Sequence, residues 1–235
     1  MHKLYEKSKI WFAVVWIILY VVLTSIAENI DKSVTFVLHV AMSITLIFWL
    51  KKQDLFKEFG LQVSSKKAKN FLYFIPLILL SSVNLLMGFS MEISLWKMIF
   101  SIGSMLCVGF LEELIFRGLL FKAMAEDNVK WAIVVSSITF GIGHVINLLN
   151  GADLLPTICQ IFESMAFGYL FVIIFYRGKT LLPCIISHSF INATSVFSND
   201  VSGNNRIILS VILFAVALCY ALVLNKTLKG DENEN

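Results

Sequence analysis

Eight apolar runs, each long enough for a membrane helix, constrain this chain more than anything else in it. They cover residues 10–27, 33–50, 71–88, 99–121, 131–149, 157–176, 181–197 and 207–224. A helix needs about 20 apolar residues to cross the roughly 30 Å hydrocarbon core of a bilayer. A transmembrane β-barrel would instead show short segments of alternating polarity. Composition agrees with the first reading: 58% of residues are hydrophobic and 15% charged, where soluble domains carry about 25% charged residues. The expected fold is an all-α, polytopic integral membrane protein with about eight transmembrane helices. Residues 1–235 form a single transmembrane domain, since no linker or repeat divides them. The first run is too long, and followed by too many others, for a cleaved signal peptide.

The basic residues give the orientation. With eight spans and the N-terminus in the cytoplasm, fifteen lysines and arginines fall inside, six of them in the 51–70 loop. Only Lys32, Lys97 and Arg206 fall outside. This bias places both termini in the cytoplasm of a multi-pass cell-membrane protein. The lysine-rich loop can touch anionic headgroups, but fixing topology is its simpler role. The lipid bilayer is thus the expected surrounding, and nothing in the chain points to nucleic acid.

The fourth run contains Phe110-Leu111-Glu112-Glu113-Leu114-Ile115-Phe116-Arg117-Gly118. Charged groups there cost roughly 2.5–3.5 kcal/mol each on insertion scales, so they are enclosed by other helices or do chemistry. Glu113 and Arg117 are four apart and can pair on one helical face. Glu112 points about 100° away from Glu113 and needs a different partner. Two other runs supply candidates: Phe140 with His144, and His188 with Asn192, each pair four apart, with Asn147 three beyond His144. At about 1.5 Å per residue the glutamates lie roughly 10–15 Å from the cytoplasmic end, His188 about 10 Å and His144 nearer 20 Å. Tilt, or a fifth helix that begins below the interface, would reconcile His144 with the others.

Several chemistries fit this set. Glu112 can serve as a general base toward water, helped by a histidine, with His188 and Asn192 donating to an oxyanion. Glu112, His144 and His188 are also the candidate ligands if zinc is present. A carboxylate relay in a proton-coupled transporter is the third reading, although no inverted repeat supports it. Spacing alone leaves hydrolase and transporter about level, and leaves the cofactor as zinc or none.

The same residues resemble the signature of the CAAX-protease and bacteriocin-processing family, the type II CAAX prenyl endopeptidase-like intramembrane proteases. Glu112, Glu113 and Arg117 match its E-E-x-x-x-R motif, with Gly118 following. Phe140 and His144 match F-x-x-x-H, and His188 and Asn192 match H-x-x-x-N. The resemblance covers about residues 98–197, the catalytic-motif core. It implies an intramembrane endopeptidase acting on a peptide or a lipidated or membrane-anchored protein. In it Glu112 activates water with His144, His188 and Asn192 stabilise the oxyanion, and Glu113, Arg117 and Phe140 organise the site. It further implies a cavity open toward the cytoplasm. A noncatalytic bacteriocin-immunity or scaffold protein is the alternative.

Other polar groups receive structural readings. His39 has no polar companion at helical spacing and reads as a helix–helix hydrogen-bonding residue. Glu163 pairs with Gln160 or borders a substrate groove. Gly168 permits close packing, and Gly141 with Gly143 lets the helix of His144 bend or approach a neighbour. Pro183 sits in a first turn, where proline is tolerated. Cys107, Cys159, Cys184 and Cys219 show no disulfide or metal spacing.

Overall fold

The computed structural model describes residues 1–62, 74–90 and 94–228. All the extended elements among them are helices: α1 (His2–Lys7), α2 (Lys9–Glu28), α3 (Lys32–Lys52), α4 (Ile75–Ser81), α5 (Val83–Leu86) and α6 (Leu95–Glu112). A π-helical segment, Glu113–Phe121, continues α6 into α7 (Lys122–Ala125). After it come α8 (Val129–Gly143), α9 (Ile146–Leu149), α10 (Leu154–Gly178), α11 (Leu182–Ser195) and α12 (Gly203–Thr227). Among the described residues six helical stretches are long and apolar enough to cross a membrane: α2, α3, Leu95–Ala125, Val129–Leu149, α10 and α12. The chain is an all-helical polytopic membrane protein.

The third and seventh apolar runs are not single long helices. Pro76 opens α4, and the first turn of α5 begins only after a break at Ser82, so the 71–88 run is two short pieces. The first three residues of that run lie outside the described residues, as do residues 63–70 of the basic loop and the 229–235 tail. α11 holds 14 residues, about 21 Å of helix. It starts at a proline and ends in the turn after Ser195.

Contacts at the helix ends show how the pieces stack. At one end Lys9 pairs with Glu126, Lys122 with Glu58, and Arg177 with Asn225. Gly60, at φ +62°, lies against the Lys179 carbonyl, where an added Cβ would sit 2.6 Å away. Its own carbonyl accepts hydrogen bonds from the Leu181 amide and the Thr180 hydroxyl. At the opposite end Ser25 and Asn29 donate to Asn150, and Phe89 bridges to Ser198. Asp31 caps α3 there, accepting from the Ser33 hydroxyl and amide, which hold its carboxyl below the ordinary carboxylate range.

Aromatic and aliphatic side chains from α2, α3 and the π segment form one core, including Phe12, Trp16, Leu46, Trp49, Leu114 and Leu119. A second, from α4, α10, α11 and α12, includes Leu77, Leu170, Ile174, Ala217 and Leu224. The outer faces stay apolar, with Trp11, Val37, Phe48, Leu79 and Val211 all more than 60% exposed. That exposure is what a helix facing hydrocarbon presents, and it is untenable for a water-facing surface. Small residues set the spacing. A Cβ on Gly141 would meet Met165 and the Ile161 carbonyl, and one on Gly168 the Ser137 carbonyl, which brings α8 and α10 together. Gly143 has nothing within 4 Å, so it serves no close approach. His144 instead caps the end of α8, where the chain turns into α9.

Candidate active site

The site forms where α6 changes to π-helical winding. Glu112 is the last α-helical residue and Glu113 the first of the π segment. Long π segments are rare and tend to mark functional sites. Here the Ser136 hydroxyl of α8 donates to the Phe116 carbonyl, giving that segment a hydrogen bond from outside itself. Gly118 leaves room for Phe59 and Leu114, whose side chains would lie 2.9 Å from an added Cβ.

Glu113 and Arg117 are fully buried and paired, with Arg117 Nη1 donating to Glu113 Oε1 at 3.1 Å. The guanidinium also lies 4.0 Å from the Phe140 ring centre and 5.6 Å from that of Phe171, so aromatic faces take part of its charge. The same Glu113 oxygen lies 2.8 Å from His188 Nδ1. A carboxylate held by arginine can only accept, so His188 Nδ1 carries the proton. His188 Nε2 is then directed to Glu112 Oε2 at 3.5 Å. The imidazole is clasped between Phe140, edge-on with centroids 5.7 Å apart, and Phe171, tilted at 5.9 Å. Gly109 makes this approach possible, because α6 and α11 meet so closely that a Cβ there would lie 2.5 Å from the Ser189 amide nitrogen.

Glu112 has a second partner that spacing did not reveal: the Tyr20 hydroxyl of α2 donates to its Oε1 at 2.7 Å. The buried positions Phe12, Trp16 and Tyr20 recur every four residues, and that stripe was the available signal. His144 is not the imidazole against Glu112. Its Nδ1 is 3.1 Å from the Phe140 carbonyl, which can only accept, so a neutral His144 offers Nε2 as an acceptor. It shares a cavity of about 260 Å³ with Tyr20, Glu112, His188, Asn192, Asn147 and Gln160. A larger cavity of about 900 Å³ adjoins it and shares Phe140, His144, Gln160, His188, Asn192 and Ser195.

Two further sequence readings change, and that of His39 holds. Glu163 does not pair with Gln160. It accepts from Arg206 Nη2 at 2.8 Å and from the Ser210 hydroxyl, both on α12, while Gln160 accepts from Asn147. Arg206, read from the sequence as a loop cation, belongs to the first turn of α12 and is drawn inward by that carboxylate. His39 is buried and bonded to both Thr24 and Ser104, a polar link between α2, α3 and α6.

Among the described residues no group of three His, Cys, Asp or Glu side chains gathers as a metal-binding set. Glu112, His144 and His188 therefore do not fit a three-ligand zinc site in this arrangement. Both cavities run toward the end that carries Glu28, Asn150, Asp153 and Asp200, away from the lysine-rich end.

Residues 94–194 match the sequence model of the family described as type II CAAX prenyl endopeptidase Rce1-like. That segment is similar to the Rce1-like family. It makes up somewhat under half of the chain, contains every motif residue from Glu112 to Asn192, and excludes Tyr20. At the family level an Rce1-like segment is that of a protease, hence of an enzyme. No curated protein and no solved structure matches the chain.

Proposed function

We propose that this chain is an intramembrane endopeptidase that hydrolyses a peptide or a membrane-anchored protein with water activated by Glu112. The observation that carries the reading is the placement of His188. It is held through Nδ1 by the Glu113–Arg117 pair and turned through Nε2 toward Glu112, at the wall of a polar cavity shared with His144 and Asn192. Charged groups this deep in an apolar bundle are expensive, and a wet cavity gives them a use.

In the proposed reaction Glu112 takes a proton from water as the water oxygen attacks the scissile carbonyl carbon. His144 Nε2, an acceptor in the neutral ring, helps orient that water. The carbonyl oxygen becomes an oxyanion, toward which Asn192 and a doubly protonated His188 can donate. Glu112 then delivers its proton to the amide nitrogen as the C–N bond breaks, and the proton left on the attacking oxygen passes to the amine, releasing a carboxylate and an ammonium group. Tyr20 fixes the carboxylate, leaving Oε2 for the water. No step is routed through a metal, because the candidate ligands do not gather around one point.

The reading treats residues 1–235 as one transmembrane unit crossing the bilayer eight times, α4–α5 and α11 supplying the third and seventh crossings. Both termini are then cytoplasmic, in line with the distribution of lysine. The test is reconstitution with a peptide library and mass-spectrometric identification of products. Wild-type protein is expected to yield new termini, and a folded Glu112→Gln protein none. Equal cleavage by both would refute the assignment of Glu112.

A further inference from the structure

Glu112 is clasped from two sides. On one, His188 faces its Oε2 and is itself held by Glu113. On the other, the Tyr20 hydroxyl donates to Oε1, and a third helix stands behind Tyr20. His39, on α3, is 1% exposed, with its ring centre 5.8 Å from that of Tyr20. Its Nε2 is 3.0 Å from the hydroxyl of Thr24, about one turn beyond Tyr20 on α2. Its Nδ1 is 2.8 Å from the hydroxyl of Ser104, about two turns before Glu112 on α6. A neutral imidazole has one donor and one acceptor and a hydroxyl can act as either, so both bonds are satisfied at once. Local sequence sets the spacing. Gly103 precedes Ser104, and a Cβ there would lie 2.6 Å from the ring of Phe36, about one turn before His39, so α3 closes on α6 at this level. Thr45 and Ser81 spend their hydroxyls on carbonyls of their own helices, whereas Thr24 and Ser104 direct theirs across helices at one ring.

We infer that His39 is a positioning residue of the candidate site: bonded to Thr24 and Ser104, it fixes the Tyr20 hydroxyl and, through it, the Oε1 side of Glu112. Its effect on turnover rests on the peptidase reading; its hold on Tyr20 does not. A histidine between two hydroxyls can be plain adhesive between membrane helices. This one joins the two helices whose side chains meet at Glu112, and its ring packs on the tyrosine that makes that meeting. An unpartnered polar group is costly in an apolar bundle, so the three bonded side chains pin the height of α2 against α6. The 2.7 Å bond from Tyr20 to Glu112 depends on that height. The segment 94–194 contains Ser104 and Glu112 but neither Tyr20 nor His39. The first two long helices therefore belong to the working site and are more than its membrane anchor.

The test pairs peptide cleavage with a probe on the tyrosine. His39→Leu and Ser104→Ala, each checked for folding in detergent, are expected to lower kcat about tenfold at unchanged KM, short of the roughly hundredfold loss from a 1 Å displacement. His39→Gln, which keeps a donor and an acceptor, should recover most of the loss. In a Tyr20→Phe background neither His39→Leu nor Ser104→Ala should cost anything more, because the hydroxyl they act through is already gone. A histidine that only glues helices would cost the same factor in both backgrounds. The probe is fluorine NMR of the full-length protein with 3-fluorotyrosine at position 20. Ser104→Ala, which keeps the imidazole ring in place, should move the resonance toward its position in Glu112→Gln protein. Unchanged turnover, losses that multiply with Tyr20→Phe, or an unmoved resonance each overturn the inference while leaving the peptidase reading intact. If His39→Leu does not fold, Ser104→Ala carries the same comparison. Absence of cleavage by wild-type protein overturns the peptidase reading instead, and the resonance alone then decides whether His39 holds Tyr20.

Discussion

Replacing Gly109 with alanine tests how the site is held together. The added Cβ would lie 2.3 Å from Ser189 Oγ, 2.5 Å from its amide nitrogen and 2.7 Å from its Cα. Turning the serine hydroxyl relieves only the first contact, because the other two are backbone. Reaching ordinary contact at about 3.4 Å requires α11 to withdraw by roughly 0.7–0.9 Å. His188 is the neighbouring residue, and its 2.8 Å bond to Glu113 would stretch beyond the ~3.2 Å reach of a good N–H···O bond. Overpacking of this kind costs about 1–3 kcal/mol, and a hydrogen bond to a charged group is worth about 1.5–3 kcal/mol. A 1 Å displacement of a catalytic group lowers turnover by about a hundredfold. We expect Gly109→Ala to unfold at lower temperature in detergent and to cleave library peptides on the order of a hundredfold more slowly. Gly143→Ala, which meets nothing within 4 Å, is the folding control and should unfold with wild type. If Gly109→Ala matches wild type in both unfolding and turnover, the close α6–α11 contact does not position His188 and the reasoning fails.

Three further outcomes follow from the same geometry. Tyr20→Phe removes the 2.7 Å bond to Glu112; at about 1.5–3 kcal/mol for a bond to a charged group it should lower kcat/KM by about ten- to a hundredfold, read by peptide cleavage. Arg117→Met leaves Glu113 buried without its cation, and breaking a buried pair costs about 3–5 kcal/mol. Its detergent unfolding temperature should fall more than that of Gly109→Ala. Dialysis of wild-type protein against a strong chelator should leave cleavage unchanged; loss of activity restored by added zinc would require Glu112, His144 and His188 to gather in another conformation.

What the sequence made legible depended on how local each signal was. The Glu113–Arg117 pair is a four-residue relation within one helix, and helical spacing is enough to read it. Apolar runs were enough for the helical, membrane-spanning class, because it follows from the cost of placing charge and bare backbone in hydrocarbon. The partner of Glu112 could not be read in the same way. Tyr20 is 92 residues away, and its ring looks like any other aromatic of a membrane span until α2 packs against the π segment. Depth alone favoured His188 over His144 but left both within reach of Glu112 if a helix tilts. The choice between them is made by Gly109, whose missing side chain lets α11 close on α6. The π winding from Glu113 to Phe121 has no simple sequence period, and a straight α-helix was the natural expectation.

The central claim is that Glu112 and His188 act as one unit in one cavity, and a double-mutant cycle on peptide cleavage tests it most directly. Residues that work together are strongly non-additive in turnover. Glu112→Gln, His188→Ala and the double variant, each verified as folded, are compared with wild type. We expect the double variant to cleave no more slowly than the worse of the two single variants. Losses that multiply, so that the double variant falls by the product of the single effects, would show that the two groups act independently and contradict the account.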